Sequence, residues 1–224
     1  LAELLEHFLL DAENMPLFSA RFNIAPTQPI LAIRAKPGGK RPAREAVLLW
    51  WGLIPEWATD PDIGNKLINA RSETAAQKPA FRTSLRRRRC LIAADGFYEW
   101  KTEGRTKQPF FIHFSDDRPF AFAGLWDRWE GPDHSAVESC TILTTGANEL
   151  MKPIHERMPA ILDPKHYEKW LDPAEQDAAQ VLPLLKPCSD KSLQAYPVGR
   201  EVNSPSHEGP DCLTPSRAPK SLFD

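Results

Sequence analysis

Apolar positions recur along this chain in two rhythms. Near the start, Leu1, Leu4, Leu5, Phe8, Leu9 and Ala12 share one helical face while Glu3 and Glu6 lie off it, which predicts an amphipathic helix over 1–12. Further on, the apolar residues come in short runs bounded by Pro, Gly, Asn and Asp. Ile30 to Arg34, Val47 to Ile54, Pro109 to Phe114, Pro119 to Trp126, Ser139 to Thr145 and Tyr196 to Val202 read as strands, and P-I-H-E-R-M-P-A-I-L at Pro153 to Leu162 ends in another. Ser72 to Arg89 has helical character, with Ser72 as N-cap and Pro79 able to split or restart it. Glu149 to Lys152 begins a helical turn, and His166 to Leu171 and Asp177 to Leu185 predict surface helices. Many joints are hairpin-like: a basic tip at Lys36 to Arg44, a polar turn at Lys101 to Lys107 and Ser115-Asp116-Asp117.

About seven or eight short strands with few helices predict one α+β domain, built around a mostly antiparallel, barrel-like sheet with peripheral helices. The domain is expected to span residues 1–203. Residues 204–224 are polar and proline-rich and are expected to fray.

One stretch organises the rest. Leu91 to Trp100 reads L-I-A-A-D-G-F-Y-E-W. Its first half predicts a buried strand, and Asp95-Gly96 a tight break with positive φ at the glycine. Glu99 then stands among Phe97, Tyr98 and Trp100. A carboxylate so enclosed should bind its proton more tightly than usual, which suits acid–base work. The competing reading is a Glu whose head reaches water past Trp100 or pairs with an arginine.

Composition narrows the classes. With 224 residues, 42% of them hydrophobic, the chain can bury a sizeable core, and its 22 prolines argue against a helical bundle. The net charge of −2 makes any nucleic-acid surface a local one. Cys90, Cys140, Cys188 and Cys212 form no C-x-x-C pair, which suggests reduced thiols in a cytoplasmic protein. No apolar run is long enough to span a membrane. The six histidines show no close ligand spacing, so neither a metal nor another cofactor is expected.

Other candidate groups are scattered through the chain. Asn23, Pro26 and Pro29 make an extended loop. Trp57 follows a strand in a loop with Asp60, Pro61 and Gly64, as either a lid on the core or a stacking platform. In extended K-L-I-N-A-R-S-E-T, Asn69 and Arg71 point the same way, toward a phosphodiester-like ligand or toward each other in an internal network. Arg82, Arg86, Arg87, Arg88 and Arg89 crowd one helix end, either complementing its dipole or forming a phosphate-binding patch. His155 and Arg157 precede a strand; outside a functional site such a histidine is usually buried and hydrogen-bonded.

Five segments together resemble one family. N-I-A-P-T-Q at Asn23 to Gln28, W-G-L-I-P-E-W at Trp51 to Trp57 and N-A-R-S-E-T at Asn69 to Thr74 carry the likeness. D-G-F-Y-E-W at Asp95 to Trp100 and I-H-E-R-M-P at Ile154 to Pro159 complete it, in family order from about Arg21 to Val202. The chain thereby resembles the SOS-response-associated peptidase (SRAP) family of abasic-site processing proteins.

The resemblance implies binding to single-stranded or junction DNA containing abasic sites, and the protein is expected to be a monomer. It implies a thiazolidine crosslink through an N-terminal cysteine and self-removal of the residue before it. Asn69 would hold the sugar or the cysteine, Glu99 would act as acid–base, and His155 would pass protons to the sugar oxygen. Arg71 and Arg157 would hold flanking phosphates. Trp57 would stack where a duplex ends, Thr144 would lie in the DNA groove, and Asn23 to Pro26 would wall the pocket. The family's leading Met-Cys-Gly-Arg is not in this sequence, and none of the four cysteines is terminal. The expectation is that the leading residues are missing from this sequence, not that the protein has lost its nucleophile. The alternative function is non-catalytic binding of single-stranded DNA in the same groove.

Overall fold

A computed structural model describes residues 1–36 and 43–216. Its strands are β1 (Pro29–Ala35), β2 (Arg44–Trp51), β3 (Asn69–Arg71), β4 (Arg89–Ala94), β5 (Gly96–Glu103) and β6 (Thr106–Phe114). They continue with β7 (Phe120–Glu130), β8 (Ala136–Gly146), β9 (Arg157–Pro159), β10 (Ile161–Leu162) and β11 (Leu193–Pro197). The helices are α1 (Ala2–Phe8), α2 (Ser72–Ala75), α3 (Pro79–Arg87), α4 (Tyr167–Leu171) and α5 (Ala178–Val181).

Strands β7, β4, β1, β2 and β8 pair in that order, and β8 pairs back onto β7, which closes a five-stranded barrel. Among the described residues only β2–β8 and β3–β8 are parallel, so the sheet is mostly antiparallel, as expected. Closure removes the free edges that an open sheet would expose. The period-2 alternation along each strand divides the apolar residues into two sets. Ile30, Ala32, Leu49, Cys90, Ile92, Phe122, Cys140 and Ile142 come from all five barrel strands and pack as one cluster. Ile33, Leu91, Ala123, Leu125 and Leu143 pack instead against Phe8, Phe81, Leu85, Tyr167 and Trp170 of the helices.

At Asp95 the chain leaves the barrel for a second sheet of order β11–β6–β5. Gly96 does not adopt positive φ, contrary to expectation. A glycine is required there because a Cβ would collide with the Phe111 ring that lies across it. Positive φ occurs at Gly52 (φ 140°), where a Cβ would also stand 2.7 Å from the Gly64 carbonyl oxygen. That close approach ties the end of β2 to the loop carrying Trp57.

Several boundaries differ from expectation for identifiable reasons. The first helix stops at Phe8 because Leu9 is left-handed, and Leu1 and Leu9 are exposed, so only its Phe8 is fully buried. Ser72 is the first residue of α2, not its cap, and Pro79 opens α3. Helix α4 is no surface helix: Tyr167, Trp170 and Leu171 sit at i, i+3 and i+4 and are buried. The last strand, β11, lies earlier than Tyr196–Val202, and Arg200–Asn203 is a 3-10 turn.

The described part of the segment expected to fray, 204–216, is packed. The Glu208 carboxylate accepts from Arg21 Nε (2.6 Å) and from the Phe22 and Asn23 amides, Cys212 is buried, and Val198 bridges to Pro215. The basic tip expected at Lys36–Arg44 lies, from 37 to 42, outside the described residues. All four cysteines are free thiols. No helix among the described residues is long and apolar enough to cross a membrane.

Candidate functional site

Strand β5 follows the barrel strand β4 after one bend residue, so the order D-G-F-Y-E-W directly determines where Glu99 emerges. Alternation sends Phe97 toward Phe122 of the barrel cluster, while Tyr98 and Trp100 pack with Phe111 and Val202. Glu99 is therefore not enclosed by three rings. Its side chain is 23% exposed, and its Oε1 accepts from the Trp100 amide at 3.0 Å.

The turn after Asn148 and the short β9 bring His155 opposite. Its Nδ1 lies 3.9 Å from Glu99 Oε2, and its side chain is 43% exposed, which excludes the buried, structural histidine. Nδ1 is 3.1 Å from the Arg157 amide and 3.0 Å from the Arg157 carbonyl oxygen. Glu99 and His155 line an open cleft of about 450 Å³ with Trp100, Thr102, Lys107 and Asn203. The sequence reading missed these last four. Trp100 was noticed only as a neighbour of Glu99, and Asn203 fell at the edge of the presumed tail, although Trp100 Nε1 donates to its Oδ1 at 2.7 Å.

A second group gathers on β3, β8 and β9. Asn69 and Arg71 both point outward with Ala70 buried between them, and among the described residues neither side chain makes a hydrogen bond, so the internal network is not formed. Arg71 pairs in register with Thr144, and Gly146 with Arg157. The Arg157 guanidinium forks onto Glu73 (Nη1–Oε1 2.7 Å, Nη2–Oε2 2.9 Å) and also donates to Thr144 O (2.7 Å) and Thr144 Oγ1 (3.2 Å). Arg157 thereby holds the Glu73 carboxyl below its usual proton affinity. Arg157 was expected to meet DNA phosphates; most of its donors are instead committed within the protein.

Asn23 also departs from expectation. It is buried, and its amide donates to the carbonyls of Val202 (3.2 Å), Ser204 (3.0 Å) and His207 (3.1 Å). It ties its loop to the segment that carries Asn203. Pro26 sits half-buried in a turn that Thr27 closes on Trp51 O (2.8 Å).

Trp57 is 57% exposed on a loop held by Trp129 Nε1 donating to Ala58 O (2.7 Å) and by the Asp60 cap. A lid on the core would be covered, so Trp57 is not one. It borders a shallow hollow of about 360 Å³ with Asp60, Ile63, Asn65 and Lys66.

The arginine cluster divides. Arg89 is buried and donates to the carbonyls of Leu85, Arg86, Trp170, Asp172 and Glu175. Arg88 pairs with Glu56 and with Asp127, whose carboxyl burial pushes upward in pKa. Arg82, Arg86 and Arg87 remain exposed. Away from the cleft, His207, Asp211 and Cys212 hold their possible ligand atoms within 4.8 Å of one another. His207 Nε2 already pairs with Asp211 Oδ2 at 2.7 Å, and burial raises the Cys212 thiol's pKa, which disfavours a thiolate ligand there.

Residues 1–205 match the family described as SOS response associated peptidase (SRAP). The abasic site processing protein YoqW of Bacillus subtilis is 42% identical over 210 residues, covering 93% of this chain and 90% of that protein. The abasic site processing protein HMCES of Gallus gallus is 36% identical, with 84% of this chain aligned to 63% of the longer relative. The crystal structure of a Bacteroides thetaiotaomicron protein superposes with a TM-score of 0.76 at 31% identity, covering 85% of this chain and 82% of that one.

Proposed function

The chain belongs to the SOS-response-associated peptidase family, and we propose that it processes abasic sites in single-stranded or junction DNA by crosslinking itself to them. The observation that carries this reading is the approach of Glu99 and His155 to 3.9 Å across an open cleft, beside relatives named for abasic-site processing. An abasic sugar is mostly a closed hemiacetal. Opening it moves a proton off the anomeric hydroxyl and puts one on the ring oxygen, which a carboxylate and an imidazole can do near neutral pH.

In this reading the nucleophile is the family's N-terminal cysteine. Its amine adds to the aldehyde carbon, water leaves, and the thiol adds to the resulting imine to close a thiazolidine. One water is lost overall and no redox partner is needed. Glu99 takes the hydroxyl proton, His155 protonates the ring oxygen, and Asn69 orients the sugar or the cysteine. Arg71 contacts a flanking phosphate, and Trp57 stacks where base pairing ends. The same carboxylate would activate water for removal of the residue ahead of the cysteine.

The test is a denaturing gel with a single-stranded abasic oligonucleotide and protein beginning Met-Cys-Gly-Arg ahead of the residues here. The proposal expects a heat-stable adduct that is lost on Cys→Ala at the added position and kept on alanine substitution of Cys90, Cys140, Cys188 and Cys212. Tight binding with no adduct from the cysteine-bearing protein would favour the non-catalytic DNA binder.

A further inference from the structure

The pair Glu73–Arg157 does more than neutralise two charges. Glu73 stands in the first turn of α2, two residues beyond Arg71 at the end of β3. Arg157 stands on β9, a strand of only three residues. The fork between them joins the segment bearing Asn69 and Arg71 to the segment bearing His155. Arg157 Nη2 adds Thr144 of β8 to the same knot.

The consequence for His155 lies in the Arg157 main chain. The peptide N–H and the carbonyl oxygen of Arg157 both lie about 3 Å from His155 Nδ1. When the ring proton sits on Nε2, Nδ1 accepts from the Arg157 amide. When Nδ1 carries a proton, it donates to the Arg157 carbonyl. Nδ1 is therefore partnered in every protonation state, and Nε2 can gain or lose a proton without the ring turning over. Among the described residues Nε2 has no hydrogen-bond partner.

We propose that Glu73 is a positioning residue: by clamping the Arg157 guanidinium it holds the Arg157 peptide against His155 Nδ1, so that His155 works as a fixed proton shuttle at the Glu99 cleft. The inference rests on the proposed use of that cleft. The geometry of the fork supports it over a phosphate-binding role for the same guanidinium. End-on pairing spends one Nη1 and one Nη2 hydrogen on Glu73, Thr144 takes the other on Nη2, and Nε is buried without a partner. Among the described residues one Nη1 hydrogen is left without a partner, too little for a phosphate clamp but consistent with a strut.

The test has two arms. In the first, 15N NMR of the His155 imidazole is compared between the protein and its Glu73→Gln variant, with no DNA present. The ring nitrogens are expected to move from the values of one hydrogen-bonded ring toward those of a freely exchanging imidazole. Arg157→Lys, which cannot form the fork, should give the same change. In the second arm, adduct formation is timed in the cysteine-bearing protein for Glu73→Gln, His155→Ala and the double variant. Glu73→Gln should slow the step by on the order of tenfold, typical of losing a group that orients a functional imidazole, and should add nothing on top of His155→Ala. Unchanged ring nitrogens in a Glu73→Gln protein that melts normally would overturn the assignment, as would a full Glu73→Gln loss surviving in the His155→Ala background. If the parent forms no adduct, the reading of the cleft fails by itself and the NMR arm still decides the role of Glu73.

Discussion

Replacing Arg89 by alanine should unfold this protein more readily without weakening the proposed binding to DNA. Arg89 is 5% exposed and its guanidinium ties the end of α3 to the turn after α4, through the carbonyls of Leu85, Arg86, Trp170, Asp172 and Glu175. At a net worth of about 1 kcal/mol per hydrogen bond, losing all five would cost about 5 kcal/mol. Water entering the vacated space would re-satisfy some carbonyls, so a loss of about 3–5 kcal/mol is expected, at the severe end for a point substitution. In a protein of this size that corresponds to a fall in Tm of about 6–20 °C. Arg82→Ala provides the control: it is exposed and should change stability by no more than about 0.5 kcal/mol. Urea unfolding of the two variants, beside fluorescence-anisotropy binding to a single-stranded oligonucleotide, makes the comparison. An unchanged urea midpoint for Arg89→Ala, together with lost DNA affinity, would refute the reasoning and put Arg89 back on the phosphate-binding face.

Trp57→Ala should cost about 1–3 kcal/mol of junction binding and leave the Tm nearly unchanged, since the proposed base–aromatic stacking would be lost but little core; a large drop in Tm alone would make Trp57 a core residue. Arg71→Ala should lower the slope of log K against log salt by about one contact, read by anisotropy at several salt concentrations; an unaltered slope would remove Arg71 from the interface. Glu73 has its folded-state pKa depressed by Arg157. Its contribution to stability is therefore present above the unfolded carboxyl pKa and lost as pH falls through the folded value. Glu73→Gln should flatten the acid limb of a stability–pH curve in that range and leave the neutral plateau's slope alone; an acid limb identical to the parent's would contradict the pairing. Because Glu73 is half exposed, the effect should be small.

The barrel was legible because its strands are long enough to show period-2 alternation and are separated by Pro, Gly and Asp. Strands β3, β9 and β10, of two or three residues, are too short for a pattern to set their bounds; the β8 and β7 ladders impose them. The sequence singles out Glu99, His155, Asn69 and Arg71 because each stands in a motif where a polar group interrupts apolar or extended surroundings, and the structure places Glu99 and His155 on one cleft. The roles of individual arginines were not legible. Arg82 and Arg89 look alike in R-T-S-L-R-R-R-R, and only the return of α4 under the helix end decides which one is buried. The partners of Asn23 were hidden for a related reason: its amide is spent on carbonyls 179 to 184 positions away, a distance no local pattern reports. The same long-range closure hid Asn203, whose contact with Trp100 builds one wall of the cleft.

The most direct test of the account is the rate of adduct formation with single-stranded abasic DNA by the cysteine-bearing protein and its Glu99→Gln and His155→Ala variants, with affinity and Tm measured alongside. The account predicts that each substitution slows the adduct by about 10²–10⁴-fold while affinity and Tm stay near those of the parent. Parental rates in both variants would contradict it and place the chemistry outside the Glu99–His155 cleft.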